Sequence, residues 1–487
     1  MGVLRKLAGQ SAVYGLSNIV PRMLNYFLVV LHSRVFFEAE YGVITELYAY
    51  IAILLVLLTF GLETGFFRFA PDGDKEQTQR TYASLFWFLG GTNTLFFFFV
   101  WLFLPSIGLA LGYSHQLSYL LMLAGIISLD AWSAIIFAKL RQQERAGTFA
   151  WIKIIAVVLT IAGNLVFLLL FPRLGWYNGH FGVGYVLLSN LLGSATAFIL
   201  ALLFTGGVPG WGSWRVVWKV LSFSFPLLIS GLGGTTNEFL DRLFIKYLAP
   251  GPDAMVELGI YGANVKIAVL MTLFVQMYKY AAEPYFLKRS GKAWSSTDYA
   301  LSTKAFTYFC LIAMVMIAFS LPLLKYFVGH RYRVGLGVVP ILLLANLLYG
   351  LYINVSMWYK QTKQTWYAVL FTFSGAAITV AINLWLTPRM GYYGAALARL
   401  GSYVAMTTMC IAVGQRFFPI PYEQRRMILA IAASCALMWV GLYLPIENVW
   451  FLLGARGLLA CVLLGAMVGI DRQFATQLLR LWTRHSK

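Results

Sequence analysis

The stretches FAWIKIIAVVLTIAGNLVFLLLFPRLGW, residues 149–176, and WYAVLFTFSGAAITVAINLWLTPRMGY, residues 366–392, decide how this chain is organised. Each holds an apolar run long enough to cross a bilayer as a helix, which takes about 20 residues. In each, an asparagine inside the run (Asn164, Asn383) precedes a Pro-Arg-x-Gly-aromatic signature, Pro172–Trp176 and Pro388–Tyr392. Each is followed by a glycine-bearing start to the next run, Phe181-Gly182-Val183-Gly184 and Tyr393-Gly394-Ala395-Ala396. The two prolines are 216 residues apart.

Working outward, apolar runs between charged or Pro/Gly breaks give fourteen spans. They are 11–36, 41–67, 81–105, 117–138, 149–171, 181–206, 219–248, 257–282, 303–328, 335–358, 366–386, 394–414, 427–444 and 450–470. The two signatures therefore lie six spans apart. Six is even, so both copies face the same way, and a parallel repeat of six helices is a transporter architecture. The predicted fold is an all-α polytopic membrane protein with about fourteen helices. It divides into an N-terminal lobe at 1–210, a C-terminal lobe at 211–418, and two extra helices with a basic tail at 419–487.

Composition excludes a soluble core. Of 487 residues, 60% are hydrophobic and 11% charged, against about 25% charged in a soluble domain. The net charge of +19 does not mark a nucleic-acid binder, because basic residues collect in the cytoplasmic loops of membrane proteins. With the N-terminus inside, the cytoplasmic segments hold 22 Lys and Arg and the outside loops hold 4, namely Arg173, Arg331, Arg333 and Arg389. That asymmetry predicts both termini in the cytoplasm, segment 283–302 inside and segment 106–116 outside. Cys310, Cys410, Cys435 and Cys461 sit within apolar runs without metal or disulfide spacing. The first run, with Asn18, Arg22 and Asn25 and no cleavage signature, reads as an uncleaved span.

The chain resembles the polysaccharide transporter branch, the lipid-linked oligosaccharide flippases, of the multidrug/oligosaccharidyl-lipid/polysaccharide exporter superfamily. The resemblance rests on Asn383-Leu384-Trp385-Leu386-Thr387-Pro388 with Gly391 and Gly394–Ala396. It also rests on Val339-Pro340 through Asn354 to Trp358-Tyr359-Lys360, and on Tyr41-Gly42 with its counterpart Gly259–Gly262. It covers most of the chain. It implies two lobes around an alternating-access cavity and export of undecaprenyl-diphosphate-linked sugars.

Ionisable groups at mid-bilayer cost several kcal/mol unless they meet water or a partner, so they are the candidate site residues. The first span places Ser11, Asn18, Asn25 and His32 at intervals of seven, near one helix face, with Arg22 beside them. This stripe reads either as helix packing or as a cavity face. Arg22 is assigned to the cavity, since packing alone does not require a guanidinium. Lys266 lies near mid-depth with no acidic neighbour one turn away, and Asp130 is a potential partner for either cation. Arg22 and Lys266, with Asn18 and Asn25, are the predicted substrate-binding set, because a guanidinium fork matches two oxygens of a phosphate. Glu238 and Arg242 have the spacing of an ion pair, which leaves Asp241 over. Asp241, Glu238 and Asp130 are therefore candidates for coupling to Na+ or H+, and Gly231, Gly233 and Gly234 would loosen the seventh span. Arg456, Arg399 and Lys304 read as side chains reaching to the headgroups, and Glu63 with Arg68 as an interfacial pair.

The predicted activity is flipping of a lipid-linked oligosaccharide across a bacterial inner membrane by a monomer in contact with membrane lipids, without nucleic acid, metal or other cofactor. Absence of phosphate-loop and His/Cys sets argues against direct ATP use. The competing readings are a drug or cation antiporter of the same superfamily, a membrane-embedded polymerase or acyltransferase, and a scramblase. The antiporter favours carboxylates in the first span, which has none in its core. The polymerase favours a long external loop, and no outside loop exceeds about a dozen residues.

Overall fold

The computed structural model describes residues 23–24, 26–70, 74–251, 253–288, 296–362, 364 and 366–471. Among them are helices and connecting turns, with no strand. Fourteen helices follow the predicted spans. The described part of the first is α1 (Tyr26–Val35), and thirteen helices long and apolar enough to span follow it. These are α2 (Glu38–Phe69), α3 (Lys75–Leu102), α4 (Leu117–Gln142), α5 (Ala146–Leu174), α6 (Gly184–Phe204) and α7 (Trp214–Leu248). Then come α8 (Ala254–Lys288), α9 (Ser296–Phe319), α10 (His330–Tyr359), α11 (Trp366–Met390), α12 (Tyr392–Phe417), α13 (Gln424–Leu442) and α14 (Val449–Ile470). Large apolar side chains such as Leu95, Leu109, Phe451 and Leu458 point outward, as a lipid-facing surface requires.

Proline explains the two clearest boundary shifts. The third run ends early at Leu102, and Pro105 opens a separate short helix, Leu104–Leu111. The ninth ends at Phe319, with Pro322 opening another short turn, because a proline has no N–H to continue a helix but suits its first turn. Start signals are clear elsewhere. Asp74 accepts from Gln77 N at 2.9 Å to cap α3, and Asn448 accepts from Trp450 N at 2.9 Å to cap α14. The expected loosening of α7 does not occur. The helix runs unbroken through Pro226 and Gly231–Gly234. The break comes instead in α2, where Phe60 (φ 52°) and Gly61 (φ 65°) are both left-handed.

The chain forms two compact units, Met1–Gly262 and Ala263–Lys487. In the first, α5 packs on α6, α4 on α6 and α3, and α7 along α2. Leu62, Phe66, Tyr82, Phe86, Ile136 and Phe149 fill a core between α2, α3, α4 and α5. In the second, α11 packs on α12, α10 on α12 and α9, and both α13 and α14 pack against α9. The lobes drawn from the repeat break near residue 210, whereas packing places α7 and the start of α8 in the first unit.

The two copies of the repeat share three local features and differ in one. Gly175 (φ 73°) and Gly391 (φ 56°) both take positive φ, which is why the signature carries glycine there. Asn164 and Asn383 are both fully buried. Each donates from Nδ2 to the carbonyl of a threonine one turn earlier, Thr160 or Thr379, at 2.8 Å. The spacing from asparagine to proline is longer in the first copy, and a π-helical turn, Val166–Leu170, occupies that position.

Candidate functional site

Arg22, Asn18 and Asn25 lie outside the described residues. The described member of their stripe is His32, which is 4% exposed. Its Nε2 is 2.7 Å from Asn164 Oδ1 on α5, so here the stripe packs helix to helix. An Asn164→Leu change leaves the imidazole without that partner and lowers stability by about 1 kcal/mol. Thermal unfolding in detergent measures this, and a His32→Leu/Asn164→Leu pair recovers part of the loss. Wild-type stability in the single variant would show that the contact carries no weight.

Lys266 is half-buried on α8 in the second unit. Asp130, on α4, is opposed by Lys153 of α5 and hydrogen-bonded by Ser194 of α6, and Lys153 also lies 4.1 Å over the Phe137 ring. The described cation facing Asp130 is therefore Lys153. On α7, Glu238 is exposed. The Arg242 guanidinium lies 4.4 Å over the Phe239 ring, and its Nη1 is buried without a hydrogen-bond partner. Asp241 is fully buried; it accepts from its neighbour Arg242 N at 2.8 Å and from the hydroxyl of Tyr261 on α8. It is thus a carboxylate held by two neutral donors. Among the described residues, no group of three His, Cys, Asp or Glu could hold a metal.

Three further sequence expectations change. Glu63 pairs with Arg141 of α4 instead of Arg68. Arg456 does not reach for headgroups: it is 5% exposed and donates to the carbonyls of Gly441 (2.8 Å) and Phe319 (3.0 Å), at the ends of α13 and α9. A guanidinium there satisfies helix-end carbonyls that have no partner of their own. Lys304 is likewise buried and donates to Glu423 Oε1 and Asp471 Oδ2, both at 2.6 Å.

Two cavities lie among the described residues. The first is a pocket of about 410 Å3 in the first unit, lined by Glu40, Glu46, Tyr113, Gln116, His180 and Lys246 among others. Glu46 is fully buried two turns into α2. It accepts from Lys246 Nζ at 2.6 Å and from Tyr113 Oη at 2.7 Å, while Lys246 also donates to Leu111 O at 2.7 Å. Burial, and next the Glu46 charge, push the Tyr113 hydroxyl well above its usual range, so it stays a donor. Sequence reasoning missed this pair because its members are 200 residues apart; the signal available was a glutamate inside an apolar run. The second is an apolar groove of about 340 Å3 in the second unit. Leu348, Leu351 and Val355 of α10, Val404 and Ile411 of α12 and Ile428 of α13 line it. Tyr422, in the turn before α13, closes one side, and burial raises its hydroxyl pKa and keeps it neutral.

The described residues form an all-helical bundle with thirteen helices long and apolar enough to cross a membrane. The chain belongs to the family of polysaccharide biosynthesis proteins, whose model matches residues 7–289. No curated protein sequence shows significant similarity to it. Among solved structures it is similar to the lipid II flippase MurJ in an inward closed conformation, at 14% identity and a TM-score of 0.75, over 96% of this chain and 100% of that one. It is also similar to an inward-facing MATE multidrug resistance transporter, at 13% identity and a TM-score of 0.64, covering 83% and 94% of the two chains. The MATE multidrug transporter DinF-BH gives 17% identity and a TM-score of 0.60, over 85% and 96%. At these identities the likeness is one of fold.

Proposed function

We propose that the protein flips a polyprenyl-diphosphate-linked oligosaccharide across a bacterial inner membrane by alternating access, with both termini in the cytoplasm. The observation that carries this reading is the apolar groove against α13, in a member of a polysaccharide biosynthesis family. A groove of that character, lying at the end of the second unit predicted to be cytoplasmic, suits a polyprenyl tail drawn from the inner leaflet. The similarity to a lipid II flippase supports the same substrate class. In this reading Arg22, with Asn18 and Asn25 beside it, binds the diphosphate, and Lys266 is the second cation. Asp241, Glu238 and Asp130 are the carboxylates available for coupling, of which Asp241 and Asp130 are held by neighbouring groups.

Translocation of a lipid-linked oligosaccharide into the outer leaflet of proteoliposomes tests the reading. Arg22→Ala is expected to reduce the rate by about 100-fold, the loss of a charge-assisted phosphate contact of nearly 3 kcal/mol. Arg22→Lys keeps the charge, loses the fork and is reduced less. Wild-type rates in Arg22→Ala would remove Arg22 from the site. Reporter fusions after His115 and Lys292 test the orientation, which an external position for Lys292 would reverse.

A further inference from the structure

The pocket in the first unit places a fully buried carboxylate against a space that opens at the end predicted to be external. Glu46 is one wall of that space and Lys246 another. The carboxylate is held at both oxygens, by Tyr113 from the turn before α4 and by Lys246 from the last two turns of α7. Tyr50, on its own helix, and Tyr247, on α7, complete the shell. The other titratable groups facing the pocket are Glu40, Tyr119 and His180. Glu40 is already engaged, accepting from Phe37 N at 2.9 Å to close the start of α2. The pair is therefore a link between α7 and the body of the first unit on which an external proton can act.

The geometry points to Glu46 as a proton-binding site read from the external medium, whose protonation releases the outer end of α7. A hydronium ion in the pocket passes its proton to Oε1 of Glu46. The hydrogen bond from Lys246 to that oxygen breaks, and Tyr113 remains on Oε2. The pair changes from neutral to a single positive charge, and Lys246 is left with the single neutral acceptor Leu111 O in place of a carboxylate. Tyr113 stays a neutral donor, so the added charge rests on Lys246. That charge has lost its counter-ion and now gains by moving toward water. Deprotonation re-forms the pair and returns α7. The role in transport rests on the flippase reading above, but the proton site does not.

Infrared difference spectroscopy of the full-length protein in sealed proteoliposomes tests the site directly. Acidifying the external side is expected to convert a carboxylate band to a protonated carboxyl band that Glu46→Gln lacks. Lys246→Met removes the counter-charge, so the same band should appear at higher pH, and Lys246→Arg should restore the wild-type position. Retention of the band in Glu46→Gln, or a response only to acid on the opposite side, would overturn the proposal. In transport assays, the wild-type rate should change with external pH and the Glu46→Gln rate should not. A protein that shows the band but moves no lipid-linked oligosaccharide at any pH would refute the flippase reading and leave the proton site standing. Thermal unfolding of each variant separates a folding defect from a lost titration, since Lys246→Met keeps Glu46 and its band even where stability falls.

Discussion

Gly259→Ala is expected to disrupt the packing of α8 on α2, at about 3 kcal/mol or more. A methyl group at Gly259 would stand 1.8 Å from Glu38 O and 3.0 Å from Gly42 N. On the facing helix, a methyl at Gly42 would stand 2.1 Å from Met255 O. These obstacles are backbone atoms, which cannot rotate aside as a side chain would. One turn along, Gly262 faces the side chain of Thr45. The two helices touch through their main chains, so the contact tolerates no added carbon. Gly91→Ala is the control: it lies within α3, and its added methyl meets nothing within 4 Å. That change should be neutral or stabilise by about 0.5–1 kcal/mol through helix propensity. Thermal unfolding followed by tryptophan fluorescence compares the two, and equal stability in both variants would contradict the close approach.

Lys304→Met is expected to cost about 3 kcal/mol in the second unit. Asp471 is 1% exposed, and removing Lys304 takes away its 2.6 Å partner, while Arg426 stays at the longer distance of 3.3 Å. Breaking one side of a buried ion pair typically costs about 3–5 kcal/mol; the Arg426 contact places this one at the lower end. Glu423, at 39% side-chain exposure, adds little because water screens it. Replacing both members, Lys304→Met with Asp471→Leu, should recover most of the loss, since the desolvation of both charges disappears with them. Denaturant unfolding of the four proteins in the cycle reads the coupling. Additive losses in the double variant would show that the two residues do not interact. The same contacts alter what removal of the last two helices would do: α9 would lose Asp471 from Lys304 and Arg456 from its terminal carbonyl, so a chain cut before α13 should be inserted but less stable.

The spans were legible because each signal is local. A lipid-crossing helix announces itself by length and apolarity, and prolines, caps and positive-φ glycines mark its ends, so the thirteen long helices fall close to the predicted runs. The repeat was legible from Pro172 and Pro388, whereas the backbone carbonyls of Thr160 and Thr379 that hold Asn164 and Asn383 leave no mark in the sequence. Partners of buried charges were not legible. Glu63 finds Arg141, Asp130 faces Lys153, Lys246 reaches Glu46 and Lys304 reaches Asp471, each joining separate elements of the chain. One-turn spacing finds only pairs on the same helix, and it suggested a Glu238–Arg242 pair where the fold sets Arg242 over Phe239. The Gly42 and Gly259 motifs were visible as words; their reason, two backbones in contact, needed the fold.

The Arg456 clasp has a consequence for biosynthesis. The carbonyl of Phe319 waits for a donor 137 residues later, an interval on the order of ten seconds or more at ribosomal speed. Until α14 is threaded into the bilayer, α9 and α13 lack the guanidinium that caps their carbonyls, and Lys304 of α9 lacks its buried carboxylate, Asp471. The second unit therefore cannot mature in the order in which it is made. Its last helix and the residue after it, although made last, supply contacts that α9 needs.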